Sequence, residues 1–339
     1  MTWSRLRAAA VVIAIGLLLA TVWEVPVHAA SDDRGRALLE KARTAAYTQQ
    51  WDGDVVVRWR DSDGAHERTV PVSSRGGVVR VGDGSIVATE DRTMRRTRAG
   101  WDLLGTDVDG RVPDPGRKYD LRVRRGAVVA GSATWRLDAR DDGRLRHVLF
   151  FDTETGVLLR RDQLDRAGRV ERSVAFVRFE TSKPSVLGDP STTTTARPGD
   201  PDGAPAPLDR APEGLPAPKK VGDGFRRVSV LQPTAGGDVQ LYYNDGLVGV
   251  SVFVDRGAVD WDALPTGWTR TRVDGEPARA YATAEGNAVV WEADGKTFTC
   301  VSHASVADVS AFATAFDDPA DDGWLTRAGR FVTEPFSWE

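Results

Sequence analysis

Between Trp51 and Glu180 the chain alternates apolar and polar residues with the period of a β-strand, and turns rich in Asp and Gly cut the pattern into short lengths. Val55, Val57 and Trp59 share one side of the first length and Val56, Arg58 and Arg60 the other, before "DSDG" turns the chain. Tyr119, Leu121 and Val123 repeat the rhythm. Trp135, Leu137 and Ala139 carry it into "RDDG", and Leu145, His147, Leu149 and Phe151 return. The stretch "FFDTETGVLLRRDQLDRAGRVERSVAFVRF", residues 150–179, adds turns at "DTETG" and "DRAG". No helix-length segment interrupts, so the pattern predicts an antiparallel meander with one wet and one dry face, not a parallel sheet.

Ahead of it, "DDRGRALLEKARTAAYTQQ" sets Leu38, Ala42, Ala45 and Gln49 at helical spacing, with Leu39 and Ala46 beside them. One helix followed by a long curved sheet is the order expected of a helix cradled in an open half-barrel, an α+β arrangement. Residues 182–220 are dominated by Pro, Ser, Thr, Gly, Ala and Asp, which bury too little apolar area to offset ordering, and predict an interdomain linker. A smaller α+β domain is expected over 221–318. Its "LYYNDGLVGVSVFVD" and "NAVVWEADGKTFTCVSH" read as hairpins, and Ser305 with Asp308 as a capping box. The helix it starts would bury Val306, Val309, Phe312, Ala313 and Phe316 and stop before Pro319. Residues 319–339 form an acidic, Trp-containing tail.

Residues 1–30 change where the protein is expected to work. Arg5 and Arg7 precede an apolar run from Ala8 to Ala20, and "VHA" ends at Ala29, the layout of a secretory signal peptide cleaved after Ala29 or Ala30. The alternative is an uncleaved anchor over residues 8–23, which as a helix spans only about 24 Å of a hydrocarbon core of about 30 Å. Either way the rest of the chain is expected to be exported and extracytoplasmic. Net charge is −4 over 339 residues but unevenly spread. Residues 31–181 hold 29 Lys and Arg against 25 Asp and Glu, and residues 221–339 hold 9 against 18, which suggests two modules with mutual attraction. The basic residues are nearly all Arg, as in a GC-rich coding sequence, and nucleic-acid binding is not expected. Cys300 is the single cysteine, so no intrachain disulfide forms, and beside Phe298 on a strand it reads as a small buried hydrophobe.

Candidate chemistry is sparse. His66, His147 and His303 are the histidines beyond the N-terminal segment, and none has a nucleophile at motif spacing. "DSDG" and "DVDG" open like calcium loops but lack the later ligands, so hairpin turns explain them and no metal is expected. In "EDRTMRRTRAGW" a strand places Arg95 on one face and Arg96 with Arg98 on the other, a solvated face or an anion contact. Trp51, Trp59, Trp101 and Trp135 are many for one sheet. On a curved sheet the concave face leaves room for an acyl chain or apolar side chains, lined by Val55, Val57, Trp59, Trp135, Leu137, Leu149 and Phe151.

The 150–179 stretch resembles the signature of the MucB/RseB family of sigma-E regulatory proteins: an aromatic strand, a D-x-x-T-G turn, a strand ending in D-x-x-G, and a return rich in Phe and Val. "YDLRVRRGAVVAGSATWRL" is similar to the family's tyrosine and V-A-G-R segment through Tyr119, Val129, Ala130 and Gly131, with Ser132 where Arg is usual. "LYYNDGLVGVSVFVDR" is similar to its tyrosine-serine-aspartate-glycine-leucine hairpin through Tyr243, Asp245, Gly246 and Leu247, with Asn244 in the serine place, and Gly224 with Phe225 parallels its P-x-G-F. The resemblance implies a LolA-like half-barrel with a small α+β domain, no catalytic residues and no cofactor. It also implies binding to the extracytoplasmic part of a membrane-spanning anti-sigma factor, control of that partner's proteolysis, and response to a lipid ligand. Tyr242, Tyr243, Asp245 and Leu247 are expected near the partner groove. The alternative is a LolA-type lipid or lipoprotein carrier.

Overall fold

The computed structural model describes residues 32–181, except 76, 83–85, 89–91, 98–99 and 107–112, together with 208, 211–212 and 214–317, except 223, 232–238, 263, 265 and 285; between 83 and 112, and at Asp32, Tyr47 and Asp317, it describes the backbone alone. The N-terminal segment, most of the expected linker, the tail and the side chains of the "EDRTMRRTRAGW" arginines lie outside the described residues.

Helix α1 spans Asp32–Thr48 and leads into an antiparallel sheet of eleven strands. These are β1 (Trp51–Asp61), β2 (Gly64–Arg75), β3 (Val78–Val81), β4 (Ile86–Ala88), β5 (Arg92–Thr97), β6 (Gly100–Thr106), β7 (Asp120–Arg125), β8 (Thr134–Asp141), β9 (Arg144–Asp152), β10 (Leu158–Leu164) and β11 (Val170–Thr181). Their order is β6-β5-β4-β3-β2-β1-β11-β10-β9-β8-β7, two meanders joined where β1 pairs with β11. The outermost strands are β6 and β7, so the sheet is open: an α+β half-barrel. The expected turns among the described residues stand where the sequence put them, with Asp142 and Gly143 both at positive φ between β8 and β9, and "DVDG" lies outside those residues.

The buried stripe of α1 is Leu39, Ala42, Ala45 and Ala46, whereas Gln49 is exposed. The stripe is rotated from the predicted one because Gly35 sits on the sheet: a Cβ there would stand 2.7 Å from that of Leu121. At the far end of the helix, Trp51 packs edge-on to Phe176 at 5.5 Å between ring centroids. Val55, Val57, Leu137, Leu149 and Phe151 belong to the same core.

The second sheet has eight strands: β12 (Lys220–Val221), β13 (Phe225–Leu231), β14 (Val239–Asn244), β15 (Gly249–Arg256), β16 (Thr269–Val273), β17 (Glu276–Thr283), β18 (Gly286–Ala293) and β19 (Lys296–Ser302), followed by helix α2 (Val306–Asp317). Leu208, Ala211, Leu215 and Ala217, from the stretch expected as linker, pack on its core, and the Leu208 N–H donates to the Val230 carbonyl. The capping box forms as read: the Asp308 N–H donates to Ser305 Oγ at 3.0 Å, and that hydroxyl donates to the Asp308 carboxylate at 2.7 Å. Phe316 is fully buried against Tyr243, Trp291, Phe298 and Phe312. Cys300 is fully buried, and burial pushes its thiol far above the ordinary range, as a small core hydrophobe requires. Phe316→Ala should lower unfolding free energy by about 3–5 kcal/mol in a denaturant titration, the cost of an aromatic cavity.

Candidate partner-binding site

The dry face of the half-barrel is not apolar throughout. Toward one end its phase runs Leu159, Arg161, Gln163 on β10, Phe151, Leu149, His147 on β9 and Phe176, Val174, Arg172 on β11, and pairing brings Arg161 beside Leu149 and Gln163 beside both His147 and Arg172. Arg161, Gln163, His147 and Arg172 are all buried. A polar patch of this kind has to be met by hydrogen-bonding groups, and the second lobe supplies them. Arg161 donates to the Leu247 carbonyl at 2.8 Å, and Arg172 donates to the carbonyls of Ala284 and Thr283.

The centre of this seam is Asp245, in the turn between β14 and β15 and 1% exposed. One carboxylate oxygen accepts from Lys118 Nζ at 2.8 Å and from Tyr119 Oη at 2.7 Å, both in the first lobe. The other accepts the N–H groups of Leu247 and Val248 and closes its own turn. The socket is prepared from α1: Arg36 holds the Asp114 carboxylate at 3.0 Å, and Asp114 caps the short 3-10 turn Pro115–Arg117 that presents Lys118 and Tyr119. Gly246, at φ +102, lies flat on that segment; a Cβ there would stand 2.6 Å from Pro115 Cα and 2.8 Å from the Pro113 carbonyl. Lys118 Nζ also lies 4.8 Å over the Phe225 ring.

Buried charges set the proton affinities here. Burial, and then Asp245, raises the Tyr119 phenol well above its ordinary value, so it stays a donor. Burial, then Arg161, Arg146 and Lys118, holds His147 well below the ordinary histidine range, so it is neutral, and its Nδ1 meets no hydrogen-bond partner among the described residues. On the rim Arg146 pairs with the Asp308 of the capping box.

Two cavities open along the seam. The inner one, about 220 Å³, is bounded by Tyr119, Arg146, His147, Gln163, Asp245 and Phe312, among others. The outer one is a cleft of about 830 Å³ between the β1–β2 and β10–β11 turns of the first lobe and β16, β17 and the start of α2 in the second. Its walls include Ala167, Val170, Ala280, Ala282 and Ala307, with Arg60, Asp61, Arg166 and Glu171 among them. Glu171 takes the Val306 N–H at the start of α2, and its carboxyl is raised, first by burial and then by Asp308 and Asp165. Among the described residues, no group of three or more His, Cys, Asp or Glu could hold a metal ion.

The family model of the MucB/RseB N-terminal domain matches residues 35–198. Just under half of the chain is thus similar to the MucB/RseB N-terminal domain. The solved Pseudomonas aeruginosa MucA/MucB complex contains a chain 18% identical to this one, with a TM-score of 0.50 over 83% of this chain and 98% of that one. A MucB crystal structure is also 18% identical, with a TM-score of 0.48, and 84% and 97% are covered. A LolA superfamily protein from Nitrosomonas europaea covers 46% of this chain and 95% of its own, at 10% identity and a TM-score of 0.22. No curated protein matches the chain.

The motif residues behind the MucB/RseB resemblance meet one another: Tyr119 of the first lobe holds Asp245 of the second, and Leu247 receives Arg161. Of the residues expected near a partner groove, Tyr243, Asp245 and Leu247 are thus buried, the last two in the seam and Tyr243 behind it, its hydroxyl donating to the Pro218 carbonyl. Tyr242 is half-buried on the neighbouring strand position. Of the seven residues expected along a trough, five are core. Trp59 stacks on His66 at 5.2 Å, and Trp135 has the guanidiniums of both Arg34 and Arg125 over its ring. None of the seven lines either seam cavity. Sequence reasoning passed over Lys118, Arg146, Arg161 and Arg172. The available signal was Arg161 and Gln163 standing where the dry phase of β10 calls for apolar residues.

Asp245→Ala breaks the ion pair with Lys118 and takes this acceptor from the buried Tyr119 phenol, and should cost about 3–5 kcal/mol, read by calorimetry as a lowered or split transition. A neutral buried His147 makes the unfolded chain the stronger proton binder, so stability should fall as pH drops through about 6.5, by up to about 1.4 kcal/mol per pH unit. His147→Gln should remove that part of the slope in urea titrations at successive pH values.

Proposed function

We propose that this chain is an exported, non-enzymatic regulator that binds the extracytoplasmic segment of a membrane-spanning anti-sigma factor and shields it from proteolysis. The observation that carries the reading is the match of residues 35–198 to the MucB/RseB N-terminal domain, with a second lobe clamped onto that part of the chain. The MucB of the solved complex is held with MucA, and this chain has the same two-lobed fold. The surface that best suits such a partner is the outer cleft, since both lobes wall it and Val170 stands 43% exposed at its edge. A release signal, expected to be a lipid, would act by favouring an arrangement of the lobes that cannot hold the segment. A lipid carrier draws less support, because the core under α1 already takes five of the seven expected trough residues.

The test is titration of the protein with the extracytoplasmic segment of the anti-sigma factor of its own organism. A saturable one-to-one complex is expected, which Val170→Glu weakens at least about tenfold, some 1.4 kcal/mol. Failure of the native protein to bind, or to slow proteolysis of the segment, overturns the proposal.

A further inference from the structure

The loop joining β7 to β8 holds the most exposed of the large apolar side chains among the described residues: Val128 is 69% exposed, at the tip of "GAVVAGS". The loop is tied at every level. The Gly126 N–H donates to the Thr134 carbonyl at 2.9 Å, Thr134 Oγ1 donates to the Ala127 carbonyl, and Val129 and Ser132 exchange both backbone bonds through a turn with Ala130 and Gly131 at positive φ. A firmly built loop therefore holds a valine out in water at the end of the edge strand.

Its surroundings say what. Strand β7 is one of the two outermost strands of the half-barrel and reads D-L-R-V-R-R. Arg122 and Arg124 are 66% and 59% exposed, and Arg125 lies 4.2 Å over the half-buried Trp135, with Arg34 of α1 at 4.9 Å from the same ring. The carboxylates near these are Asp120, bound to Arg122, and the buried Asp138, shared by Arg124 and Arg136, while Asp33 of α1 pairs with Arg36. Cations outnumber acids along this edge, Arg122 and Arg124 on one face of the sheet and Arg125 and Arg34 beside the indole on the other, and an apolar tip projects at its end. That combination suits the headgroup region of an acidic bilayer, where arginines meet phosphates, Trp sits at the interface and valine enters the acyl boundary.

We propose that the β7 edge and the Gly126–Ser132 loop dock this protein on a membrane of acidic phospholipids. Docking would hold the lobes beside the surface whether or not the N-terminal segment is cleaved, and is independent of the anti-sigma reading.

The test labels Val128→Cys in the full chain with a nitrobenzoxadiazole group; Cys300 is fully buried and does not compete. With phosphatidylglycerol vesicles the emission should rise and shift to the blue, and with phosphatidylcholine vesicles it should not. In vesicle co-sedimentation, Arg124→Glu and Arg125→Glu should each weaken the partition on phosphatidylglycerol at least about fivefold, and Val128→Asp should weaken it without touching the core. A silent label on phosphatidylglycerol, an equal response on both vesicles, or a response retained with both arginines reversed overturns the proposal. A label that answers only to an acidic protein does so too.

Discussion

A carboxylate buried to 1% exposure has to be met by donors, and Asp245 finds its donors in both lobes. Half of its coordination comes from its own turn and half from Lys118 and Tyr119, so turn and socket are complete only together. Much else follows from that. Gly246 has to be glycine because Pro115 lies against it, Asp114 has to cap its turn so that Lys118 and Tyr119 point the right way, and Arg36 reaches from α1 to hold Asp114. The charge asymmetry along the sequence is spent here: the basic first module offers Lys118, Arg146, Arg161 and Arg172, and the acidic second module answers with Asp245, Asp308 and backbone carbonyls.

What was legible in the sequence was local. Hairpins with Asp-Gly turns, the Ser305–Asp308 box and the burial of Cys300 each depend on residues a few positions apart, and each stands as read. The face of α1 was off because its orientation is set by Leu121 meeting Gly35, far along the chain. The seam was harder still. Tyr119 and Asp245 are 126 positions apart, and neither pattern nor spacing couples them. Asp245 and Leu247 stood out as recognition residues by resemblance; the structure shows what they recognise, and it is the chain's own first lobe. An aromatic at an alternating position suggests a core, and on that pattern Trp135 reads as a wall of the trough. Its place beside the edge strand exposes it to two guanidiniums instead.

Opening the seam would leave the buried Asp245 carboxylate and the Arg161 and Arg172 guanidiniums without these partners, so it is costly to open. Its rim connects it to the outer cleft through one helix start. Asp308 is at once the capping residue of α2, the partner of Arg146 at the inner cavity and a neighbour of Glu171, whose carboxyl takes the Val306 N–H at the wall of the cleft. An occupant of the cleft that drew Glu171 or Arg166 toward itself would alter the company of Asp308, and with it the hold of Arg146 on the second lobe. A protein that must grip a partner and later let go needs that property: a docking surface contiguous with the contacts that fix the lobes. Here the proposed docking surface and the seam share side chains, so a cleft occupant that favours one state of the seam would be favoured by that state in turn.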